Sequence, residues 1–408
     1  MYYDYGIIGG GPAGYTAAML LAKKGKSVVL FEKNQIGGTC LNRGCIPTKA
    51  LLHMSEVYRQ TIESSNIGLD IEVKNFDFSK TASKRDLIVE KIRKSLELAV
   101  KNSGVNIIYA TAEIVDDTTI LADNVNYKIG KIIFAAGSKP RELEGLECDH
   151  EFILNSDDVL KITKLPKSVL IVGSGAIGIE WARIFSNFGV SVSLIEYAEH
   201  LLPSADIEVS KRIERIFKQQ KVEFYLNTTI KNIDNKTVKL SNGMVKNPEV
   251  ILSAAGRVPL SSNVNNITTI GDSCGEIQLA HFAIHQAQNL VEGIDFNKQL
   301  TPAVIYGEPE IAWVGLREQD CKDDCEKITL PITALGKSWC DNCTEGFIKL
   351  ITKNNCILGA HIISKEASAL IHEILIAMEN KVSVNDLKKV CFAHPTYSEG
   401  IFEAICRL

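Results

Sequence analysis

The chain has 408 residues, 45% hydrophobic and 23% charged, a globular composition that at roughly 150 residues per domain suggests two to three domains. Lys and Arg number 45 against 49 Asp and Glu, a formal charge of −4, so no overall attraction draws the chain to nucleic acid or to an anionic membrane. Eleven cysteines is an odd number, which argues against a secreted disulfide framework and for a reducing, cytoplasmic setting where a cysteine pair calls first for a chemical explanation.

From the N-terminus, residues 6–22 carry no charge and superficially resemble a signal peptide or a membrane span. A span needs about 20 apolar residues. This run is shorter, lacks a basic leader and contains Gly9, Gly10, Gly11, Pro12 and Gly14. It reads as a strand ending at Ile7 and Ile8, the turn Gly9-x-Gly11-x-x-Gly14, a helix over about 13–24, and a strand over 27–31 closing on Glu32. The same unit recurs downstream. A strand over 169–172 leads to Gly173-x-Gly175-x-x-Gly178, a helix to about 188, and a strand over 191–195 closing on Glu196. In both copies the acid lies 23 positions after the first glycine.

Each unit has the physics of a dinucleotide site. The first glycine permits the tight turn, the second lets backbone approach a pyrophosphate, and the third allows helix and sheet to pack closely. The helix N-terminus presents free N–H groups to phosphate, and the acid accepts hydrogen bonds from ribose hydroxyls. The plainer alternative is a tight strand-to-helix turn followed by a solvated acid. The strand, helix and acid at their expected distances in both copies favour two bound dinucleotides. Glu196 would repel a 2′-phosphate, and 197–203 holds no Arg or Lys to neutralise one, so NAD is favoured over NADP.

Between the first unit and the next helix lies Gly37-Gly38-Thr39-Cys40-Leu41-Asn42-Arg43-Gly44-Cys45-Ile46-Pro47-Thr48-Lys49. Five residues of regular helix rise about 7.5 Å, more than the usual Cα separation of about 4.4–6.8 Å in a disulfide. A Cys40–Cys45 bridge therefore needs a distorted backbone, which Gly44 and the glycines before Cys40 permit. Strained, accessible disulfides are the redox-active kind. The segment leads into an expected helix over 49–58, whose dipole favours a thiolate. Further on, 84–101 reads as an amphipathic helix with Leu87, Ile88, Ile92, Leu96 and Ala99 turned inward and a solvated basic face, and 208–221 reads similarly.

With these residues in view, the chain resembles the pyridine nucleotide-disulfide oxidoreductases, most closely their dihydrolipoyl dehydrogenase branch, over nearly its whole length. The wording around Cys40 and Cys45 carries the resemblance, as do Phe134 to Pro140, Ala254 to Pro259, Thr269-Ile270-Gly271-Asp272, Pro309 to Gly315, and His394-Pro395-Thr396-Tyr397-Ser398-Glu399. It implies an α/β fold: two Rossmann-like dinucleotide-binding domains, for FAD at 1–140 and NAD at 141–262, plus a C-terminal α+β dimerisation domain at 298–408. A shortened central segment at 263–297 would complete the FAD site. It also implies that Cys45 lies next to the flavin and that Cys40 exchanges with substrate. His394 of a second subunit would be the acid/base, oriented by Glu399. Lys49 would sit near the flavin and pair with Glu180 beside the nicotinamide. Gly137, Asp272 and Ala280 join Gly9, Gly11, Gly14 and Glu32 at FAD, and Gly256 joins Gly173, Gly175, Gly178 and Glu196 at NAD.

The implied activity is oxidation of dihydrolipoyl groups to the disulfide with reduction of NAD. The implied partners are a second copy of the chain, forming a homodimer, and a lipoylated acyltransferase or glycine-cleavage carrier protein. Reduction of another small disulfide of the glutathione type, or a non-catalytic flavoprotein subunit, stands as the alternative. The chain departs from the family in its length. Only 256–271 separates the return from the NAD unit from the second flavin motif, and the hairpin around 234–242 is compact. Phe392 stands where many relatives have another histidine. Cys274 is expected near the flavin, and Cys406 alone weakens a mercuric reductase reading, which needs a C-terminal pair. Cys321, Cys325, Cys340 and Cys343 have spacings open to a metal, yet Cys321 and Cys325 fall at i and i+4 of an expected helix. Incidental reduced cysteines are the favoured reading, with no metal.

Overall fold

The computed structural model describes residues 2–322 and 324–408. The first glycine unit lies at the centre of a seven-stranded sheet. Tyr2–Ile8 pairs in parallel with Val28–Phe31 on one side and Val125–Phe134 on the other, and Asn106–Ile108 extends the parallel part. Thr119–Ala122 and Ala112–Asp116 continue it antiparallel. The helix after the glycine turn, Pro12–Lys23, has Pro12 in its first turn, where a missing N–H costs no hydrogen bond.

The second unit builds a five-stranded parallel sheet in the order Glu223–Tyr225, Ser191–Ile195, Ser168–Val172, Val250–Ser253 and Ile153–Leu154. Beside it, Ile230–Asp234, Thr237–Leu240 and Val245–Lys246 form an antiparallel meander, so the expected hairpin gains a third strand. The two chain crossings between the units pair with each other: Ser138–Pro140 runs antiparallel to Arg257–Pro259. The short segment that follows returns to the first unit. Thr268–Thr269 joins Val125–Phe134 in parallel, and the helix Ala280–Glu292 packs on Pro12–Lys23. Few residues are needed for this return because the crossing strands already hold the two units side by side.

The C-terminal part is a five-stranded antiparallel sheet, ordered Ala303–Ile305, Glu310–Gly315, Cys356–Ser364, Phe347–Lys353 and Glu326–Pro331. The helices Ala367–Glu379 and Glu399–Cys406 cover it. No helix among the described residues is long and apolar enough to cross a membrane.

One hydrophobic cluster spans all three parts. Leu51 and Leu52 of the helix Cys45–Ile62 meet Ile179 and Trp181 of the helix Ala176–Asn187, together with Ile305, Ile311, Phe347 and Ile363 of the C-terminal sheet. A second tie is ionic. The Lys349 ammonium is 1% exposed, lies 2.8 Å from Asp206 and 3.2 Å from Glu208, and also bonds Glu318. Asp206 also caps the helix Ile207–Gln219, accepting the Glu208 N–H at 2.9 Å.

Several sequence expectations change. The amphipathic helix is longer, Phe78–Asn102, because Asp77 accepts the Ser79 N–H and starts it earlier. Its inner seam is Ala82, Arg85, Val89 and Val100; Ile88 and Leu96 are half-buried, Leu96 against the core of the first unit, while Leu87 and Ile92 stay 44% and 42% exposed, so only part of the expected apolar face turns inward. Cys321 and Cys325 do not share a helix. The chain turns between the short 3-10 segment Glu318–Asp320 and the strand Glu326–Pro331, and a disulfide joins the two cysteines across that turn with 6.4 Å between Cα atoms. The two sulfurs thus lie next to each other across the turn, not on one helix face.

Truncating one partner of a buried ion cluster leaves an unpaired charge, which costs roughly 3–5 kcal/mol. Lys349→Ala is therefore expected to lose stability of that order, read by urea denaturation at pH 7. Burial pushes the Asp206 carboxyl up, but Lys349 and two backbone N–H groups prevail and hold it below its ordinary value. Its stabilising effect is present above the ordinary carboxylate pKa and disappears as pH falls through the lowered folded value. The stability gap between parent and K349A is expected to narrow in that acid range.

Candidate active site

The segment bearing both cysteines is two helices broken at a glycine. Cys40 lies in Gly38–Arg43, and Cys45 is the first residue of Cys45–Ile62. The helix thus begins four residues before the expected start, which places the Cys45 sulfur at its positive end. Gly44 between them adopts φ −145° and ψ −108°. This is the kind of backbone distortion that a Cys40–Cys45 bridge needs. Both cysteines are thiols, partly buried.

Their environments separate their acidities. The Cys40 thiol hydrogen-bonds Cys45, and the Lys49 ammonium adds its field, so against the effect of burial Cys45 is lowered to about 7. Donating that hydrogen bond, together with burial, pushes Cys40 strongly up. Within the pair, Cys40 is therefore the group held protonated and Cys45 the one favoured as thiolate.

Lys49, one turn into the helix, meets Glu180 on the helix of the second unit at 2.8 Å. Burial alone would lower the ammonium, and the Glu180 carboxylate prevails and raises it. Glu180 Oε1 also accepts the Tyr306 N–H at 3.1 Å, and Lys49 Nζ lies 4.8 Å from the Tyr306 ring centroid. Three parts of the molecule thus meet at one ion pair beside the cysteines.

In the first glycine turn, Gly9 has φ +104°, and a Cβ on Gly14 would lie 1.8 Å from the Gly9 oxygen. Gly11 faces comparatively open space, with only Gly38 Cα at 3.9 Å. Glu32 accepts the Gly10 and Asn34 N–H groups, both at 2.8 Å, which fixes its carboxylate beside the turn. Gly271 packs on Ala13 at the start of the first helix and thereby brings in Asp272, which accepts the Ser138 hydroxyl at 2.6 Å. Gly137 donates its N–H to Ser273 at 2.7 Å, and Ala280 opens the helix lying on Pro12–Lys23. Cys274 accepts a hydrogen bond from Gln286.

The second turn repeats this with an open cleft of about 1180 Å³, lined by Gly173, Ser174, Gly175, Glu196, Tyr197 and Gly256 among others. A Cβ on Gly178 would lie 1.9 Å from the Gly173 oxygen, whereas nothing lies within 4 Å of one on Gly175. Glu196 accepts the Ser174 N–H at 2.8 Å and the Ala198 N–H at 2.9 Å. Arg141, Lys231 and Arg257 also line the cleft, cations that lie outside 197–203.

His394 and Glu399 form a separate pair, Nδ1 to Oε1 at 2.8 Å, with the histidine side chain 77% exposed. Glu399 also accepts the Thr396 N–H at 2.8 Å, which, with the histidine, holds its carboxyl below the ordinary value. Cys40 and His394 make no hydrogen bond within one chain among the described residues, so the fold gathers Cys40, Cys45, Lys49 and Glu180 while leaving His394 and Glu399 facing outward.

Five polar neighbours had no role assigned from the sequence. Arg43, between the cysteines, lies 3.4 Å from Asp157, which is 3.8 Å from Arg257. Arg257 donates to the Ser138 hydroxyl and carbonyl, both at 2.8 Å. Tyr306 and Arg183 complete the set. Arg43 and Arg257 stood inside segments already singled out; Asp157, Tyr306 and Arg183 carry no local signal.

Residues 3–264 match the family model described as pyridine nucleotide-disulphide oxidoreductase, and residues 301–405 match that family's dimerisation domain. A dihydrolipoyl dehydrogenase of Bacillus subtilis is 31% identical, covering 98% of this chain and 97% of its own. That alignment runs over 459 residues, more than the 408 here, so the relative carries segments this chain lacks. Among solved structures, LpdA from Mycobacterium tuberculosis matches with a TM-score of 0.90 at 21% identity, over 99% of both chains. The HOCl-induced flavoprotein disulfide reductase RclA from Escherichia coli matches at 0.88 and 24%, also over 99% of both chains. Enzymes of this family use FAD and a pyridine nucleotide, and the two glycine turns with their fixed acids have the open backbone such cofactors need. With a dinucleotide fold present twice and a thiol pair between, the chain belongs to the pyridine nucleotide-disulphide oxidoreductase family.

Proposed function

We propose that the protein oxidises dihydrolipoyl groups to the cyclic disulfide and reduces NAD, working as a homodimer in the cytoplasm. The observation that carries this reading is the pair of free thiols, Cys40 and Cys45, set at a helix broken at Gly44 beside an ion pair contributed by both dinucleotide units. The name of the Bacillus subtilis relative supports the substrate class. The substrate would be carried by a lipoylated acyltransferase or a glycine-cleavage carrier protein. A second copy of the chain is supported by the match to the dimerisation domain and by exposed apolar residues Ile67, Leu69, Ile71 and Leu87 on the first unit.

In this reading the first unit holds FAD through Gly9, Gly11, Gly14, Glu32, Gly137, Asp272 and Ala280. The second holds NAD through Gly173, Gly175, Gly178, Glu196 and Gly256. When bound, the two cofactors carry an electron pair from the dithiol to the nicotinamide. The rest falls to the protein's own side chains. His394 of the second subunit, its far nitrogen fixed by Glu399, takes a proton from a substrate thiol. The resulting thiolate attacks Cys40 Sγ of the oxidised pair, and the Cys40–Cys45 bond breaks with its electrons on Cys45, where the helix start and Lys49 stabilise the anion. The second substrate thiol displaces Cys40 from the mixed disulfide, closing the substrate ring; Cys40 takes the proton held by His394 and His394 takes that of the second thiol, so one proton ends on each. The substrate has lost two electrons and the cysteine pair has gained them.

Steady-state assays pairing dihydrolipoamide or glutathione disulfide with NAD(H) or NADP(H) test the reading. Reduction of NAD by dihydrolipoamide is expected, and its absence from FAD-loaded protein would sink the proposal. Cys45→Ser is expected to abolish turnover, and His394→Ala to lower kcat/KM by roughly 10²–10⁴-fold, the usual contribution of a positioned acid/base. In Cys40→Ser, whose hydroxyl keeps the hydrogen bond, alkylation of Cys45 by iodoacetamide is expected to accelerate as pH rises through about 7. A midpoint at the ordinary thiol value would contradict the assigned environment.

A further inference from the structure

Arg183 lies one helical turn beyond Glu180 and is 1% exposed, among the largest fully buried side chains of the molecule. Its Nη1 donates to two backbone carbonyls, Pro309 at 2.8 Å and Tyr306 at 3.1 Å. Both belong to the loop that leads from the strand Ala303–Ile305 into Glu310–Gly315. Between them is Gly307 at φ +133°, where a Cβ would lie 2.3 Å from Arg183 Nη1 and 2.6 Å from its Cδ. The arginine and the missing side chain fit one another. The loop is the one whose Tyr306 N–H bonds Glu180 and whose Tyr306 ring lies against Lys49.

From this geometry we infer that Arg183 is a positioning residue for the redox centre. It clamps the Tyr306–Pro309 loop so that Tyr306 holds the Glu180–Lys49 pair in register with Cys45. The inference rests on the reading of Cys40 and Cys45 as the redox pair and extends it to a residue outside every motif of the sequence. The guanidinium is faced by Glu56 and Arg59 of the cysteine-bearing helix, by Glu180 of its own helix and by Glu310 of the C-terminal sheet. Its Nε and Nη2 and the Glu56 Oε1 are buried without hydrogen-bond partners, so the arginine is retained in a costly setting where an apolar residue of similar length would pack. The two carbonyl contacts give it a positional task that such a residue could not perform.

The electrostatic sign is the same by either route. Cys45 is faced by Cys40, Lys49 and Glu180, with Tyr306 and Arg257 also close enough to act on it. Loss of the clamp takes the Tyr306 N–H from Glu180, and loss of the guanidinium removes a positive charge that lies one helical turn from Glu180. Each makes the field at Cys45 more negative and disfavours its thiolate.

The test uses FAD-loaded, full-length Cys40→Ser protein, with iodoacetamide labelling of the Cys45 peptide quantified by mass spectrometry across pH. Adding Arg183→Met is expected to move the labelling midpoint upward by roughly half a pH unit, less than a charge in direct contact would give because the effect reaches Cys45 through Glu180. Arg183→Lys keeps the charge but cannot span both carbonyls, and is expected to recover less than half of that shift. An unmoved midpoint in Arg183→Met overturns the inference, and full recovery by Arg183→Lys overturns the clamp in favour of charge alone. If Arg183→Met fails to fold, Gly307→Ala, which drives a Cβ into the guanidinium, is expected to give the same upward shift, and an unmoved midpoint there overturns it as well. A Cys40→Ser protein that already titrates at the ordinary thiol value would instead count against the redox-pair reading, so the two failures are distinguishable.

Discussion

The half-buried ion pair between Lys49 and Glu180 joins helices from two different dinucleotide units, and the geometry of the redox centre depends on it. Lys49 is four residues after Cys45, so the ammonium that neutralises Glu180 also bears on the Cys45 sulfur. A single contact therefore sets both where the second unit sits and how readily the thiol ionises. An ion pair between partly buried groups contributes little net stability by itself. Its value here is positional, because the apolar contacts of Leu51 and Leu52 with Ile179 and Trp181 supply cohesion without fixing register as closely.

Around this contact the remaining parts act as restraints. The crossings Ser138–Pro140 and Arg257–Pro259 are zipped together, so the second unit is inserted on a two-stranded stem instead of two loose linkers. That stem reaches the cofactor side through Ser138, which accepts from Arg257 and donates to Asp272. It reaches the cysteine side through Asp157, which lies between Arg257 and Arg43. On the opposite side, Lys349 fastens the second unit to the C-terminal sheet through the cap of the helix Ile207–Gln219. These ties explain how a chain with a short segment between Gly256 and Gly271 still brings Asp272 against the first glycine helix. A long central segment is not needed once its neighbours are fixed from three directions.

The unequal acidity of the two cysteines is likewise a product of placement. Both are the same chemical group in one short segment, and both are partly buried. The break at Gly44 puts one sulfur at a helix start near a cation and leaves the other as its hydrogen-bond donor. A leaving group is thus prepared on one side of the pair and a protonated partner on the other, which suits thiol–disulfide exchange.

Much of this was legible in the sequence because the constraints were local. A glycine whose Cβ would strike a backbone oxygen two ångströms away must be glycine, and that requirement recurs with fixed spacing at Gly14 and Gly178. Strand, turn, helix and acid follow one another within each unit, and the cysteine spacing by itself called for a broken helix. What the sequence could not carry were contacts made across long separations. The inward face of Phe78–Asn102 is chosen by the surface it meets, so Leu87 looked buried and is not. The Cys321–Cys325 turn is imposed by entry into an edge strand. Arg183, Asp157 and Tyr306 carry no nearby pattern, because each is defined by partners from other units. Sequence alone determined the two nucleotide-binding turns and the thiol pair, whose chemistry lives within a few dozen residues. Tertiary structure decided how those pieces face each other, since that depends on buried charges that find their partners only when the three parts have packed.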